Sequence, residues 1–377
     1  MTATTRPLCV VQLLPALDSG GVERSTLEIA SALVAAGHRA IVVSEGGRLL
    51  SGLLASGAEH VDLPIGRKSL LTLRHARTLR ALFAQADVVH ARSRFPAWVG
   101  WLALRGMPPE RRPHFVTTVH GLNSSSRYSA ILSRGERVIC VSETVRAHVL
   151  RHYPKVDPQR LVVIPRGVDP AAFPRVDGVD GVDRALRAAL ALRYPALGGD
   201  GPLLLLPGRG TRLKGHADGI DLLVRLRQQG IDARLWMAGV VQAGRGHYLA
   251  ELQARARDAG VADVVAMTEA TSDIAQAYAA SDVVLQLSRK PEAFGRTVIE
   301  ALCVGRPLLG WAHGGVGELL AELSPEGAVA PFDAEALALR AQALLDTAPA
   351  LPATMPHSLQ AMQEATLALY ASVTGQT

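Results

Sequence analysis

A chain of 377 residues exceeds what one ordinary hydrophobic core supports, so two domains are expected. Hydrophobic residues make up 48% of it, enough for packed cores, yet no run reaches the ~18 to 20 uninterrupted apolar residues of a membrane span. The formal net charge of +6 is unevenly spread: residues 1–172 carry 22 Lys/Arg against 12 Asp/Glu, and residues 173–377 carry 18 against 22, so the first half is expected to meet something anionic.

In chain order, "LCVVQLLPAL" resembles the apolar part of a signal peptide, but Gln12 and Pro15 interrupt it and "DSGG" follows. It reads as a buried first strand over 8–14. "VERSTLEIASALVAAGH" has helical apolar spacing and stops at Gly37. "RAIVVSE" predicts a second strand, "LLSGLLASG" a short helix, "EHVDLP" a third strand, and "LLTLRHARTLRALFAQA" a helix before the strand "DVVHA". "HFVTTVHG", "RVICVSE" and "LVVIPRGV" are short apolar runs, each ahead of a polar turn. Such alternation predicts a parallel sheet with helices on both faces. The rhythm breaks between 170 and 200, where Pro, Gly and Asp accumulate around one helix, Arg184 to Leu192. "DGVDGVD" (177–183) has a faint look of a calcium loop without its Glu and spacing, and reads as a connector. "LLLLPGR" restarts the alternation, followed by "ARLWMAGV", "DVVAMT", "DVVLQLS" and "PLLGWA". Two doubly wound domains joined near 172 follow, each binding ligand outside the carboxyl ends of its strands. Cys9, Cys140 and Cys303 are widely spaced, form no CxxC pair, and read as small buried hydrophobes of a reducing cytosol.

Four clusters carry chemistry. In "KPEAFGRTVIEAL", Glu292 and Glu300 lie eight residues apart around a turn that becomes a helix. Gly295 permits close backbone approach, and the first helical amides, helped by the dipole and by donors from Arg296 and Thr297, make an anion site for a diphosphate. Glu300, a turn deeper, suits a ribose diol, and Glu292, ahead of the helix, suits a sugar beyond the phosphates. Together these describe a nucleotide sugar. In "LLLLPGRGTRLKGH", Arg209, Arg212 and Lys214 follow a strand, where they could neutralise a diphosphate; Arg212 by itself reads as a surface charge, and the order of residues is not that of a Walker loop. His120 follows the strand "FVTTV". Gly20 and Gly21 open the first long helix, and Gly314 and Gly315 repeat that arrangement in the second half, with Glu318 after them.

With these residues in view, the chain resembles the GT-B glycosyltransferases of retaining family 4 over nearly its whole length. The likeness rests on the Gly-Gly after the first strand, "HG" at 120, "SE" in "VICVSETV", "IPRGVD", and the ordered pair "GR…KG" and "PEAFGRTVIEAL…GRP". The resemblance implies an α/β fold of two facing Rossmann-like, doubly wound domains with a cleft between them. Residues 1–172 would bind the acceptor, 173–355 the nucleotide sugar, and 356–377 would form a helix crossing back to the first domain. Carried over by position, Arg209 and Lys214 resemble the diphosphate cations. Glu292 resembles the acid on the donor sugar, and Glu300 the acid on ribose. Ala293, Phe294, Gly295 and Thr297 resemble the phosphate-contacting loop and helix start, and His120 the residue beside the reaction centre. Gly20 and Gly21 would present amides to the donor. The sequence departs from the family pattern in "MTEATSD", in "QLSRKPEAFG" and at Ala293, close to where base and sugar are read.

The implied reaction is transfer of a sugar from a nucleoside-diphosphate sugar, UDP favoured, to a hydroxyl of a glycan or glycolipid. The anomeric configuration is retained, no metal and no cofactor take part, and lipopolysaccharide core is the implied pathway. Expected partners are the nucleotide sugar, the acceptor and an anionic membrane touched peripherally from the cytoplasm, and not nucleic acid. Leu71, Leu73, Leu79, Leu82 and Phe83, with Arg74, Arg77 and Arg80 on one flank of the helix near 69–84, supply the basic amphipathic surface for that contact. A GT-B nucleotide-sugar epimerase remains open as an alternative. A dinucleotide-binding oxidoreductase would need GxGxxG in the first βαβ unit, which "LPALDSGGVERS" lacks, although Glu45 does end a strand.

Overall fold

The computed structural model describes residues 6–18, 20–176, 182–347 and 349–376. The chain divides into two compact units: unit 1 is Met1–Arg166 with Leu359–Thr377, and unit 2 is Gly167–Ser358.

Unit 1 is built on seven parallel strands: β1 Cys9–Leu13, β2 Arg39–Ser44, β3 Glu59–Asp62, β4 Val88–Ala91, β5 His114–Val119, β6 Arg137–Cys140 and β7 Leu161–Val163. Their order is β3-β2-β1-β4-β5-β6-β7, so the chain reverses direction across the sheet between β1 and β4. Both neighbours of β1 are in register with it, Val11 facing Ile41 on one side and Val89 on the other. Central strands are covered on both faces, which is why they read as continuous apolar runs. The core takes in Val10, Ile29, Leu33, Val42, Val88 and Val116, and the C-terminal helix Leu359–Val373 closes it with Met362, Leu369 and Tyr370.

Unit 2 has six parallel strands: β8 Leu203–Leu205, β9 Arg234–Ala238, β10 Val265–Thr268, β11 Val283–Gln286, β12 Leu308–Trp311 and β13 Ala328–Val329. Their order, β10-β9-β8-β11-β12-β13, puts the reversal between β8 and β11. Leu204, Leu235, Leu285, Leu309 and Trp311 fill its centre.

One reading of the sequence changes, and two helices are added to it. The helix expected near 69–84 is a 3-10 segment, Leu70–His75, running into an α-helix, Ala76–Phe83. Arg74 and Arg77 are exposed, but Arg80 does not share their open flank: its guanidinium lies against Gly106, in the space a Cβ there would need. Helices Arg94–Arg105 and Glu143–His152 occupy stretches to which the sequence reading gave no element. The aspartate-rich connector falls outside the described residues at 177–181, while Asp183 caps the next helix, its Oδ1 accepting from the Leu186 amide at 2.9 Å. All three cysteines are buried thiols. Among the described residues no helix is long and apolar enough to cross a membrane, and no group of three His, Cys, Asp or Glu is placed to hold a metal.

Candidate active site

In unit 2 the residues picked from the sequence converge where strand order reverses, the position at which doubly wound sheets leave a ligand crevice. Beyond β8 the chain turns through Gly208 and Arg209 and reaches Lys214 in a single 3-10 turn, Arg212–Lys214. Beyond β11 it passes Ser288 and Glu292 before the helix Arg296–Val304. These two loops meet in an ion pair: Lys214 Nζ lies 2.6 Å from Glu292 Oε1, with side chains 27% and 26% exposed. Ser288 Oγ lies 2.5 Å from the same Oε1 and 2.9 Å from Gln286 Oε1, two acceptors for its one proton. Both of these contacts to Glu292 fall on Oε1, which leaves Oε2 to an incoming donor. His313 Nε2 contacts the Ser288 carbonyl at 2.8 Å and steadies the loop.

The helix begins at Gly295, whose φ of 116° lies in the left-handed region and whose missing Cβ would sit 2.9 Å from Val316 Cγ2. Both facts demand glycine. No side chain caps this N-terminus, and an uncapped helix start suits an anion through its free amides and dipole. The Phe294 ring is buried, edge-on to His357 at 6.1 Å, which leaves the backbone of this residue for contact with a ligand. The turn is braced by Gly315 N donating to Glu292 O at 2.8 Å. Arg209 is exposed and makes no ion pair among the described residues, whereas Arg212 pairs with Glu251 at 2.5 Å on the surface, as read from the sequence.

Glu300 is 8% exposed. Arg296 Nε donates to its Oε1 at 3.1 Å and the Tyr278 hydroxyl to its Oε2 at 3.0 Å. Thr297 also lies within hydrogen-bond reach of that hydroxyl. Burial first, and the Glu300 charge second, push the Tyr278 hydroxyl well above its ordinary range, so it stays a donor. Ser288 and Tyr278 are absent from the sequence reading, since neither belongs to a local motif.

In unit 1 the carboxyl ends of β1, β4, β5 and the chain after β7 gather a buried polar group. Arg92 is 3% exposed; its Nε donates to Gln12 Oε1 at 2.7 Å and its Nη1 to Ser25 Oγ at 3.0 Å. Arg166 donates to Ser25 Oγ and to His120 Nδ1. A guanidinium only donates, so His120 Nδ1 must accept and the ring proton sits on Nε2. That Nε2 is covered and has no partner among the described residues. Burial first, then the charges of Arg166, Arg92 and His90, hold His120 well below the usual histidine range. His120 is therefore a neutral donor through Nε2–H, not a base poised near pH 7. His90 is tied between Tyr370 OH and Thr118 Oγ1, each at 2.6 Å. Gly20 has extended backbone and Gly21 has open space at its Cβ position, so neither conformation requires glycine; what they supply is room before the helix Gly21–Ala35.

Residues 19–172 match the model of Glycosyltransferase Family 4, and residues 194–356 that of Glycosyl transferases group 1. A glycosyltransferase of Rickettsia africae ESF-5 superposes on the chain with a TM-score of 0.84 and 27% identity, covering 98% of this chain and 100% of that one. The chain carries the two domains of a GT-B glycosyltransferase. Alr3699/HepE of Anabaena, solved with UDP and glucose, shares the GT-B fold at a TM-score of 0.74 and 20% identity, over 97% of this chain and 95% of that one. A D-inositol 3-phosphate glycosyltransferase of Jonesia denitrificans is 29% identical over 335 residues, 81% of this chain and 74% of the relative. In this GT-B chain the paired Lys214 and Glu292 thus lie in the group 1 half, and His120 in the family 4 half.

Proposed function

We propose that the protein transfers a glycosyl group from a nucleoside-diphosphate sugar, a UDP-sugar in first place, to a hydroxyl of an anionic glycan or glycolipid, with retention at the anomeric carbon. The observation that carries this is the Lys214–Glu292 pair beside an uncapped helix N-terminus at the reversal point of unit 2. The diphosphate takes the positive field of Lys214, Arg209 and the helix start, and Lys214 passes from Glu292 to phosphate as it does. Glu292, released, accepts from hydroxyls of the transferred sugar, and Glu300 accepts from the ribose. Stabilising the departing diphosphate with fixed charges and amides is the main catalytic term.

Hydrolase-style chemistry needs one carboxyl as acid and another as nucleophile or base across the scissile bond. Here Glu300 is held by Arg296 and Tyr278, and Glu292 by Lys214 and Ser288, which favours binding roles for both. Attack from the face of the leaving phosphate, which takes the acceptor proton, retains configuration. With Nδ1 accepting from Arg166, the His120 ring offers an N–H and no free acceptor.

For the acceptor, the family resemblance favours lipopolysaccharide core, and the inositol 3-phosphate named for the Jonesia relative supports a phosphorylated polyol as a second choice. An anionic acceptor agrees with the basic first half. Peripheral contact with an anionic cytoplasmic membrane surface rests on Arg74, Arg77 and Leu71, the last 69% exposed. The test is a panel of UDP-sugars with core oligosaccharide and with inositol 3-phosphate, following UDP release and reading the new anomeric signal by NMR. Sugar turnover that needs no acceptor would point to an epimerase. Nucleotide-dependent hydride transfer, or no binding of any nucleoside diphosphate, would end the reading. Sedimentation with anionic and neutral vesicles across a salt series checks the membrane contact, which should fade as salt rises.

A further inference from the structure

The turn between β13 and the helix Ala334–Asp346 carries a side chain where backbone geometry asks for none. The Asp333 amide donates to the Ala330 carbonyl at 3.2 Å, so Pro331 and Phe332 are the central pair of a turn. Phe332 has a φ of 69°, in the left-handed region, and no other non-glycine residue stands there among the described residues. Proline followed by a left-handed residue is the pattern of a type II turn, in which glycine is at ease and a bulky side chain is strained. Burial does not offset the strain, because Phe332 stays 49% exposed. Backbone outliers of this kind gather at functional sites.

The Phe332 ring is held from beneath by Trp311, which is buried, and edge-on by His313, each with its ring centre 5.9 Å away. Its other contact is the Arg289 guanidinium, 4.9 Å from the ring centre. Arg289 joins the two loops that carry the Lys214–Glu292 pair. Its amide donates to the carbonyl of Leu213, the residue before Lys214, at 2.8 Å. Its Nη1 reaches Asp218 Oδ1 at 2.5 Å on the helix His216–Gln228 that follows Lys214. Arg289 itself stands between Ser288 and Glu292 in the second loop.

We propose that Phe332 is a positioning residue for the Lys214–Glu292 pair, acting through Arg289. A guanidinium stacked on an aromatic ring and paired with Asp218 has little freedom left, so the Arg289–Leu213 contact keeps one register between the loops. Glycine would relax the turn and leave Arg289 without that ring. The inference deepens the glycosyltransferase reading, on which its activity arm rests; its structural arm needs no substrate.

Phe332→Gly removes the ring and the strain together, Phe332→Ala removes the ring and leaves the strain, and Phe332→Tyr keeps both. Hydrogen exchange of the unliganded protein, read by mass spectrometry over residues 286–295, should quicken about threefold or more in the glycine and alanine variants and stay at the parent level in Phe332→Tyr. Turnover of UDP-sugar with acceptor should fall about fivefold or more in the same two variants, with UDP affinity within about threefold, since Arg209 and the helix start are untouched. Phe332→Gly should nevertheless melt at a higher temperature than Phe332→Ala, because the strain is gone. Arg289→Ala should slow turnover as Phe332→Gly does, and the double variant should stay within about twofold of Arg289→Ala. Parent-level exchange in both ringless variants would overturn the proposal. So would turnover that follows melting temperature and not the ring, or losses that multiply in the double variant. A parent protein that transfers no sugar would sink the glycosyltransferase reading, and the exchange comparison would still decide whether the ring fixes the loop.

Discussion

Glu292→Gln separates two effects that most active-site substitutions merge. Glu292 Oε1 holds Lys214 Nζ at 2.6 Å, and both side chains are about a quarter exposed. A pair so placed is worth ~0.2 to 1 kcal/mol. A diphosphate that recruits Lys214 must first give up that contact, and it also meets the carboxylate charge. The neutral amide removes both obstacles, so UDP should bind about 1.5- to 5-fold more tightly than to the parent. The same change removes a charged acceptor for the sugar hydroxyls, a contact worth ~1.5 to 3 kcal/mol, so turnover of the UDP-sugar should fall about 10- to 150-fold. Titration calorimetry with UDP and initial rates with saturating acceptor give the two numbers from one preparation. Weaker UDP binding together with near-normal turnover would show that Glu292 helps hold the nucleotide and does not touch the sugar.

Lys214→Ala should weaken UDP binding about tenfold and slow transfer at least as much; rates within twofold of the parent would remove it from the diphosphate site. Tyr278→Phe deletes the hydroxyl donating to Glu300 Oε2 at 3.0 Å, and should cost about 1 kcal/mol, read as a melting temperature lower by roughly 2 to 4 °C with weaker UDP binding. Burial holds His90 and His120 well below the histidine range and lowers His216 to about 4, so all three are neutral when folded and protonate on unfolding. Their stabilising contribution is complete above pH ~6.5 and is lost as pH falls below it, by up to ~1.4 kcal/mol per pH unit for each. Urea melts at pH 7, 6 and 5 should show that slope, and a flat profile would contradict it. Activity in excess chelator should match activity in magnesium, because Arg209, Lys214 and the helix start supply the positive field; loss restored by a divalent metal would refute this.

The strands and helices of both sheets follow from patterns a sequence displays, apolar runs of strand length, polar turns after them, helices between, whereas the strand order that sets the reversal points does not. The glycine turn, the cations after β8 and the two acids around Gly295 are local motifs, and the structure brings Lys214 and Glu292 together as such motifs suggest. Helix Arg94–Arg105 escapes the reading because Pro96 and Gly100 look like breakers, although Pro is tolerated in a first turn. Strand β13 spans two residues, too few for any period. The partners that tune the site are distant in sequence. Tyr278 meets Glu300 across 22 positions, Arg166 meets His120 across 46, and Arg92 meets Gln12 across 80. Periodicity reports which face a residue lies on, and does not report which distant residue shares it.

The C-terminal helix has a consequence for how the molecule comes into being. Tyr370 is fully buried in unit 1, 2.6 Å from His90, and Met362 and Leu369 share its core. During synthesis unit 1 has all seven strands once Arg166 has emerged, but lacks the helix that seals it until Leu359 and beyond are made. At ~5 to 20 residues per second that interval lasts roughly 10 to 40 seconds, within which the intervening unit can form its own sheet. Unit 1 is begun before unit 2 and completed after it. Its apolar face waits uncovered for the helix Leu359–Val373, so a premature stop near residue 358 would leave a folded unit 2 and a first unit prone to aggregate.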